Sequence, residues 1–194
     1  RSTLFPYTTL FRSGSCVQYK GISVLMLAAG SQNASWEIVQ ALLEDKADPN
    51  AKIPAGTALM MAIDKGASLE VVQALIHSGA NVNEQNVNGD TPLMISLFKD
   101  DQAVTLGRAG IIRALLEAGA QVNMQNKEGT TALLVAISNN APLEVVQLLL
   151  TAKADTNIKA KYGASTLMNA LAKHSSTKIV QALLSSETEV NERY

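Results

Sequence analysis

The dominant feature of this sequence is a repeat of about 34 residues. Five leucines mark the repeat, and they follow one another at intervals of 34, 34, 40 and 34 residues: Leu25, Leu59, Leu93, Leu133 and Leu167. A period of this length is typical of arrays in which each unit packs only against its neighbours. The sequence therefore predicts a row of five similar units rather than one closed globular core.

Each unit contains three blocks in the same order. The first begins at a glycine and contains the repeated leucine. The second reads Glu-Ile-Val-Gln-Ala-Leu-Leu at 37–43 and returns with small changes at 70–76, 110–116, 144–150 and 178–184. The third ends on an asparagine, which is Asn50, Asn83, Asn123, Asn157 or Asn191. Chance does not account for three blocks that recur five times in one order.

Two short helices are expected in each unit. The second block has apolar residues at helical spacing, as in Leu69, Val72 and Leu75. Before the first helix stands a hydroxyl residue whose oxygen can accept a hydrogen bond from an unpaired backbone N–H. These predicted N-caps are Ser23, Thr57, Thr91, Thr131 and Ser165. A small residue three positions after each leucine lets neighbouring helices approach closely: Ala28, Ala62, Ser96, Ala136 and Ala170.

The ends of the second helices differ between units. Gly79 and Gly119 are suited to the left-handed conformation that commonly ends a helix. Lys46 and Lys153 stand at the corresponding positions of the first and fourth units. We expect these lysines to adopt the same conformation at a modest cost in stability.

These blocks resemble the ankyrin repeat, a unit of about 33 residues. The third unit is closest, with Asn-Gly-Asp-Thr-Pro-Leu at 88–93 and Leu-Leu-Glu-Ala-Gly-Ala at 115–120. The resemblance implies an all-α ankyrin-repeat solenoid of stacked antiparallel helix pairs with hairpin fingers. Its repeats would cover residues 21–52, 53–85, 86–125, 126–159 and 160–194. The family's histidine is replaced by Met26, Met60, Met94, Leu134 and Met168, which can only pack, so somewhat looser turns are expected.

The resemblance also implies a binding surface, because ankyrin proteins usually meet partners at the finger tips and the inner-helix face. Ala55 and Ala164 also belong to the finger tips. Repeat 2 is one residue shorter at its tip, so Pro54, Ala55 and Gly56 should form a tighter finger. Phe98 and Tyr162 are the strongest candidates, because aromatic residues are enriched at binding hot spots; ordinary exposed surface is the alternative. The candidate partner-binding residues are Lys52, Pro54, Asp64, Lys65, Val87, Asn88, Asp90, Phe98, Lys99, Lys127, Glu128, Thr130, Asn139, Lys161, Tyr162 and Lys173.

Two segments depart from the repeat. Repeat 3 has about six extra residues between its helices, within 99–108. A tolerated surface loop and a second contact site are both open interpretations.

Residues 3–13 resemble the translation of a short-read sequencing adapter. We therefore exclude residues 1–13 from the fold as a non-native artefact and assign residues 14–20 to a remnant of a preceding segment. The last repeat keeps apolar residues at Ile179, Val180, Leu183 and Leu184, so we expect a fragment of a longer repeat protein.

Composition and motifs argue against several functions. The formal net charge is −1, and neither half is strongly basic, so we expect no nucleic-acid or membrane partner. No apolar run approaches the roughly 18 residues that span a bilayer. Cys16 is the single cysteine, which excludes an intrachain disulfide and fits a reducing, cytoplasmic location. His77 and His174 lie outside any metal-binding spacing, and no phosphate loop or nucleophile motif occurs.

The sequence therefore favours a monomeric, non-enzymatic module that binds another protein and needs neither cofactor nor metal. The alternative is a targeting or regulatory segment of a larger enzyme or effector. Trp36 occupies the position of Leu69 and Leu143, so a packing role is expected for it.

Overall fold

The structure is a computed structural model that describes residues 21–31, 33–98, 108–161 and 163–186. This part of the chain contains ten helices and one isolated β-bridge, which joins Ile53 and Gly56. The helices are α1 (Val24–Ala29), α2 (Trp36–Glu44), α3 (Ala58–Lys65), α4 (Leu69–His77), α5 (Pro92–Ile95), α6 (Ala109–Glu117), α7 (Ala132–Ser138), α8 (Leu143–Thr151), α9 (Thr166–Ala172) and α10 (Thr177–Leu184).

The helices form two layers. The odd-numbered helices pack in chain order as a row of inner helices, and the even-numbered helices pack as a second row of outer helices. Each inner helix also contacts the outer helix that follows it. In repeats 1, 2, 4 and 5 a short connection joins the two contacting helices and makes the pair antiparallel, whereas the connection in repeat 3 contains the insertion and lies mostly outside the described residues. The predicted all-α solenoid of stacked helix pairs is confirmed.

The core lies between the two layers. Four of the five repeated leucines are at most 1% exposed, namely Leu25, Leu59, Leu93 and Leu133, whereas Leu167 in the last repeat is half-buried. The outer helices contribute Val39, Val72, Ile112 and Val146, all fully buried. Burial of one such side chain contributes about 1.5–3 kcal/mol to the stability of the fold. Only stacking buries these side chains, because a single helix pair leaves this face open to solvent.

Four of the five predicted N-caps form their hydrogen bonds. The hydroxyls of Ser23, Thr91, Thr131 and Ser165 accept from the backbone N–H three residues on, at 3.2–3.3 Å. Thr57 occupies the N-cap of α3, but its buried hydroxyl has no partner. It follows the shortened finger, where Gly56 has a φ of 126°, whereas the corresponding glycines of repeats 3 to 5 lie between 72° and 81°. We attribute the missing bond to this different entry into the helix.

The predicted left-handed helix ends are confirmed. Gly79 and Gly119 have φ values of 85° and 87°. Lys46 and Lys153 adopt the same conformation with φ values of 63° and 67°. Because a side chain at positive φ crowds the backbone, the two lysines hold these turns at a cost that glycine avoids.

Candidate functional site

The fingers of repeats 3 and 4 are each organised by an asparagine side chain at the base. In repeat 3 the Asn86 Oδ1 accepts from the backbone N–H groups of Asn88 and Asp90, both at 2.9 Å. In repeat 4 the Asn126 Oδ1 accepts from Glu128 and Thr130 in the same way, both at 3.0 Å. An amide oxygen that satisfies two backbone donors fixes the turn locally, so these fingers keep one conformation.

The finger of repeat 2 is tighter, as predicted. Ile53 and Gly56 exchange two backbone hydrogen bonds, at 3.0 and 2.9 Å. Only Pro54 and Ala55 form the loop between them, whereas the loop of repeat 3 contains three residues, from Val87 to Gly89. Pro54 and Ala55 are both exposed at the tip.

Backbone hydrogen bonds join the finger tips of successive repeats. The N–H of Val87 donates to the Pro54 carbonyl, that of Lys127 to the Asn88 carbonyl, and that of Lys161 to the Glu128 carbonyl, each at 2.9 Å. A Cβ at Gly89 would lie 2.9 Å from the Lys127 nitrogen, so glycine is required for this close approach. We call this row of bonds the tip ladder, and it sets the spacing between neighbouring tips.

A second row of hydrogen bonds lies at the base of the fingers and uses the repeated asparagines. The Asn83 side chain donates to the Gly119 carbonyl at 3.1 Å and accepts from the Gln121 N–H at 2.7 Å. Asn50 and Asn123 bridge their neighbouring repeats through the same two kinds of bond. Three of the asparagines that mark the repeat in the sequence therefore tie one unit to the next.

A groove runs between the fingers and the inner helices of repeats 1 to 3. Its volume is about 380 Å³, and we call it the finger groove. Its apolar lining includes Leu27, Met61, Ile95 and Phe98. Leu27 and Phe98 are 38% and 44% exposed, which leaves large apolar surfaces open to solvent in one depression. Apolar surface concentrated in this way is typical of a binding site.

The structure brings five of the predicted site residues to this groove, namely Asp64, Lys65, Asn88, Asp90 and Phe98. Seven others are exposed on the fingers or at the end of α9, namely Lys52, Pro54, Val87, Lys127, Glu128, Lys161 and Lys173. Thr130 and Asn139 are half-buried. Lys99 and Tyr162 lie outside the described residues.

Several charged residues of this surface are paired. Lys52 forms an ion pair with Glu84, and the Lys65 Nζ lies 2.9 Å from the Asp64 carboxylate. The Lys161 Nζ lies 3.8 Å from the Glu128 carboxylate. The Lys52 ammonium lowers the pKa of Glu84, chiefly by donating a hydrogen bond to its carboxylate.

Two of the predicted contact residues form hydrogen bonds to a neighbouring repeat. Asp90 is only 5% exposed, and its carboxylate accepts a hydrogen bond from the Asn126 side chain of the next finger at 2.8 Å. Asp90 therefore lines the finger groove from a buried position, and its direct contact with a partner stays a prediction. Asn139 donates from its side chain to the Leu97 carbonyl at 2.8 Å, which ties it to the preceding inner helix.

Arg108 differs from the expectation for the insertion. It was assigned to the loop of 99–108, yet it is 6% exposed and stands at the N-cap of α6. Its guanidinium donates to the Ile63 carbonyl at 2.9 Å and to the Ser96 carbonyl at 3.4 Å. Burial lowers the pKa of Arg108, and the negative charge of Asp64 opposes that shift. The end of the insertion is therefore anchored to two inner helices beside the finger groove. Residues 99–107 lie outside the described part.

The reasoning from sequence missed Leu27, Met61 and Ile95 as groove residues. All three stand four positions after an N-cap hydroxyl, so an alignment of the inner helices would have grouped them. Leu27 is 38% exposed in the groove, whereas Ile95 lines the groove from a buried position at 7%.

Trp36 also departs from its expected packing role. It is 42% exposed and lines a second groove, of about 490 Å³, between α2 and α4 on the outer-helix side. Gln40, Leu43, Glu70 and His77 line the same groove. The Ser68 hydroxyl and a backbone N–H lower the pKa of Glu70 by hydrogen bonding to its carboxylate.

Fold and groove together define a helical-repeat protein with an open, grooved inner-helix face. A family model described as ankyrin repeats (3 copies) matches residues 25–106 and 101–194. The chain belongs to the ankyrin-repeat family, whose repeats are generally protein–protein interaction modules and typically non-enzymatic. No curated protein matches the chain in a sequence comparison. Within the described residues, no helix is long and apolar enough to cross a bilayer, and no cluster of three potential metal ligands occurs.

Proposed function

We propose that this chain binds a partner protein through its fingers and inner-helix face, with the finger groove as the centre of the contact. The exposure of Leu27 and Phe98 in one groove carries the proposal. A partner that covers these side chains removes apolar surface from water, which favours association by roughly 25 cal/mol per Å². Exposed aromatic residues in such positions commonly dominate binding energies.

The hydrogen bonds around the groove support the same proposal. The tip ladder and the asparagine bridges hold the fingers before any partner arrives. Arg108 similarly fixes the ends of the inner helices through the Ile63 and Ser96 carbonyls. A surface that is already ordered loses little conformational entropy on binding, so more of the contact energy appears as affinity.

The test compares two exposed aromatic residues on opposite sides of the stack. Phe98 and Trp36 are 44% and 42% exposed, so alanine at either position removes a similarly exposed ring. A protein retained from source cells by the unmodified chain is purified, and its affinity is measured for both variants. We expect Phe98→Ala to weaken binding about 30-fold, as for a hot-spot residue, and Trp36→Ala to leave it within about twofold.

Thermal melts of both variants show whether each remains folded. Leu27→Ala provides a second groove variant if Phe98→Ala unfolds. Binding that depends on Trp36 and is unaffected by both groove variants would contradict the proposal.

A further inference from the structure

The outer-helix side contains a groove in which an exposed tryptophan lies near two carboxylates. This is the groove of about 490 Å³ between α2 and α4, and we call it the outer groove. Its described lining contains the carboxylates of Glu44 and Glu70, the imidazole of His77, and no lysine or arginine. The Trp36 indole lines the same groove and is 42% exposed. An aromatic ring and negative charge are therefore both open to solvent in one depression.

The boundary between repeats 3 and 4 shows how the fold can supply a cation to such a carboxylate. Glu144 is the second residue of α8, and the guanidinium of Arg113 on the preceding outer helix lies 3.8 Å from its carboxylate. Glu70 is the second residue of α4, but Gln40 stands at the position that corresponds to Arg113. The Gln40 side chain donates to Glu44 of its own helix at 2.8 Å. Among the described residues, Glu70 therefore has no counterpart of the Arg113 cation.

The tryptophan also distinguishes the boundary between repeats 1 and 2. Trp36 is the first residue of α2, and the first residues of the next three outer helices are Leu69, Ala109 and Leu143. Those three aliphatic side chains are buried or half-buried, whereas the larger indole is exposed. The same boundary thus has both an accessible aromatic ring and a carboxylate without a cation from its own chain.

We propose that the outer groove binds an arginine side chain of a second partner protein, with the guanidinium stacked on the Trp36 indole and paired with the Glu70 carboxylate. A cation over an indole face is attracted by the negative charge of the ring's π-system. A planar guanidinium can stack on a ring and donate hydrogen bonds in its own plane at the same time, which an ammonium group cannot do. The inference goes beyond the proposed function, because the finger groove is lined by other residues.

The charge of the groove favours a basic occupant over an apolar or acidic one. Hydrogen bonds from Ser68 and a backbone N–H lower the pKa of Glu70, so its carboxylate is ionised at neutral pH. A purely apolar segment over Trp36 would remove water from this charge and give it no partner, which is unfavourable. An acidic segment would meet two like charges. An arginine covers the ring and compensates the charge with one side chain.

The test uses the fact that Trp36 is the only tryptophan of the chain, so that its fluorescence reports on the outer groove. Random peptides displayed on phage are first depleted on the Trp36→Ala variant and then selected on the unmodified chain. The peptides that remain require Trp36, and those without tryptophan are synthesised. We expect them to contain arginine and to change the Trp36 fluorescence. Replacing that arginine with citrulline, which is neutral and similar in shape, should weaken binding at least about fivefold.

Two pairs of matched variants locate the arginine. Glu70→Gln should weaken binding about threefold or more and reduce its salt dependence, whereas Glu144→Gln, at the same position of α8, should leave affinity unchanged. Gln40→Arg introduces the cation that Arg113 supplies between repeats 3 and 4, so it should compete with the peptide for Glu70 and weaken binding at least about threefold. Gln147→Arg makes the same substitution at the same position of α8 and should have no effect. Thermal melts show whether each variant is folded.

Three results would overturn the inference. Peptides that require Trp36 but contain no arginine, or that bind Glu70→Gln as tightly as the unmodified chain, would assign the outer groove to an apolar segment. A selection that recovers no peptide after depletion would show that the groove does not recognise a protein segment. Self-association of the chain that is lost in Trp36→Ala, measured by sedimentation equilibrium, would assign the groove to a second copy. Phe98→Ala should leave the selected peptides bound, so none of these results bears on the finger groove.

Discussion

Replacing Lys46 or Lys153 with glycine should stabilise the fold, because both lysines hold a left-handed backbone conformation. Their φ values are 63° and 67°, close to those of Gly79 and Gly119 at the same position of other repeats. Both lysine side chains are exposed, so the substitution removes no buried contact. The four positions thus form a natural comparison in which one conformation is held by two residue types.

The magnitude follows from two opposing terms. A side chain in the left-handed region costs roughly 1–2 kcal/mol, which glycine recovers. Glycine also gives the unfolded chain more freedom, which removes about 0.5–1 kcal/mol of that gain. Each substitution should therefore add about 0.5–1 kcal/mol to the free energy of unfolding. In a chain of 194 residues this raises Tm by roughly 1–4 °C per site.

Urea denaturation followed by circular dichroism measures the effect, with Lys46→Ala and Lys153→Ala as controls that remove the charge and keep a Cβ. The converse substitutions are Gly79→Ala and Gly119→Ala. An added Cβ at either glycine meets nothing within 4 Å, so no steric clash contributes, and the change in stability reports backbone strain offset by the lower entropy of the unfolded chain. If lysine-to-glycine substitutions destabilise the fold, or match the alanine controls, then backbone strain is not the cause.

Three further predictions follow from single contacts. Asn83→Ala removes two bonds to the next repeat and should lower the free energy of unfolding by about 1–2 kcal/mol in urea titrations; an unchanged midpoint would refute a stabilising role for these bridges. Thr166→Val replaces a buried hydroxyl without a partner and should raise Tm, whereas Thr131→Val loses a cap bond and should lower it; equal shifts would contradict the assignment. The Glu84 pKa lies below its ordinary value of 4.5, so the ion pair with Lys52 stabilises the fold above that pH. This stabilisation is lost as the pH falls through the lower pKa of the folded state. Lys52→Ala should bring the NMR-measured Glu84 pKa back towards its ordinary value, and an unmoved pKa would exclude the pair as its cause.

Local sequence signals were sufficient for the helix pairs and their ends. The hydroxyl residues before each inner helix and the residues after the outer helices act within one turn of chain, so their roles could be read one repeat at a time. The left-handed conformation of Lys46 is one example, because the alignment of this residue with Gly79 was sufficient to predict it.

Contacts between repeats were harder to predict. Asp90 resembles an exposed finger residue in sequence, and only the arrival of the Asn126 side chain from the next finger makes its burial favourable. Arg108 reaches the Ile63 carbonyl of the preceding repeat, 45 positions away in the chain. One feature of the sequence distinguishes Arg108: it is a charged residue at the position before an outer helix. The other outer helices begin after Ser35, Ser68, Pro142 or Ser176.

The hydrogen bonds between repeats are concentrated on the side of the proposed binding surface. The tip ladder and the Arg108 contacts join fingers or inner helices, and the asparagine bridges join the loops that follow successive outer helices at the base of the fingers. On the outer side the described helices are joined by side-chain packing and by the Arg113–Glu144 pair, whose closest atoms are 3.8 Å apart and exposed. Packing between apolar side chains is not directional, whereas hydrogen bonds fix distance and angle. Small changes in stack geometry should therefore be absorbed by the outer helices, while the spacing of the finger tips, on which recognition of an extended segment would depend, is kept.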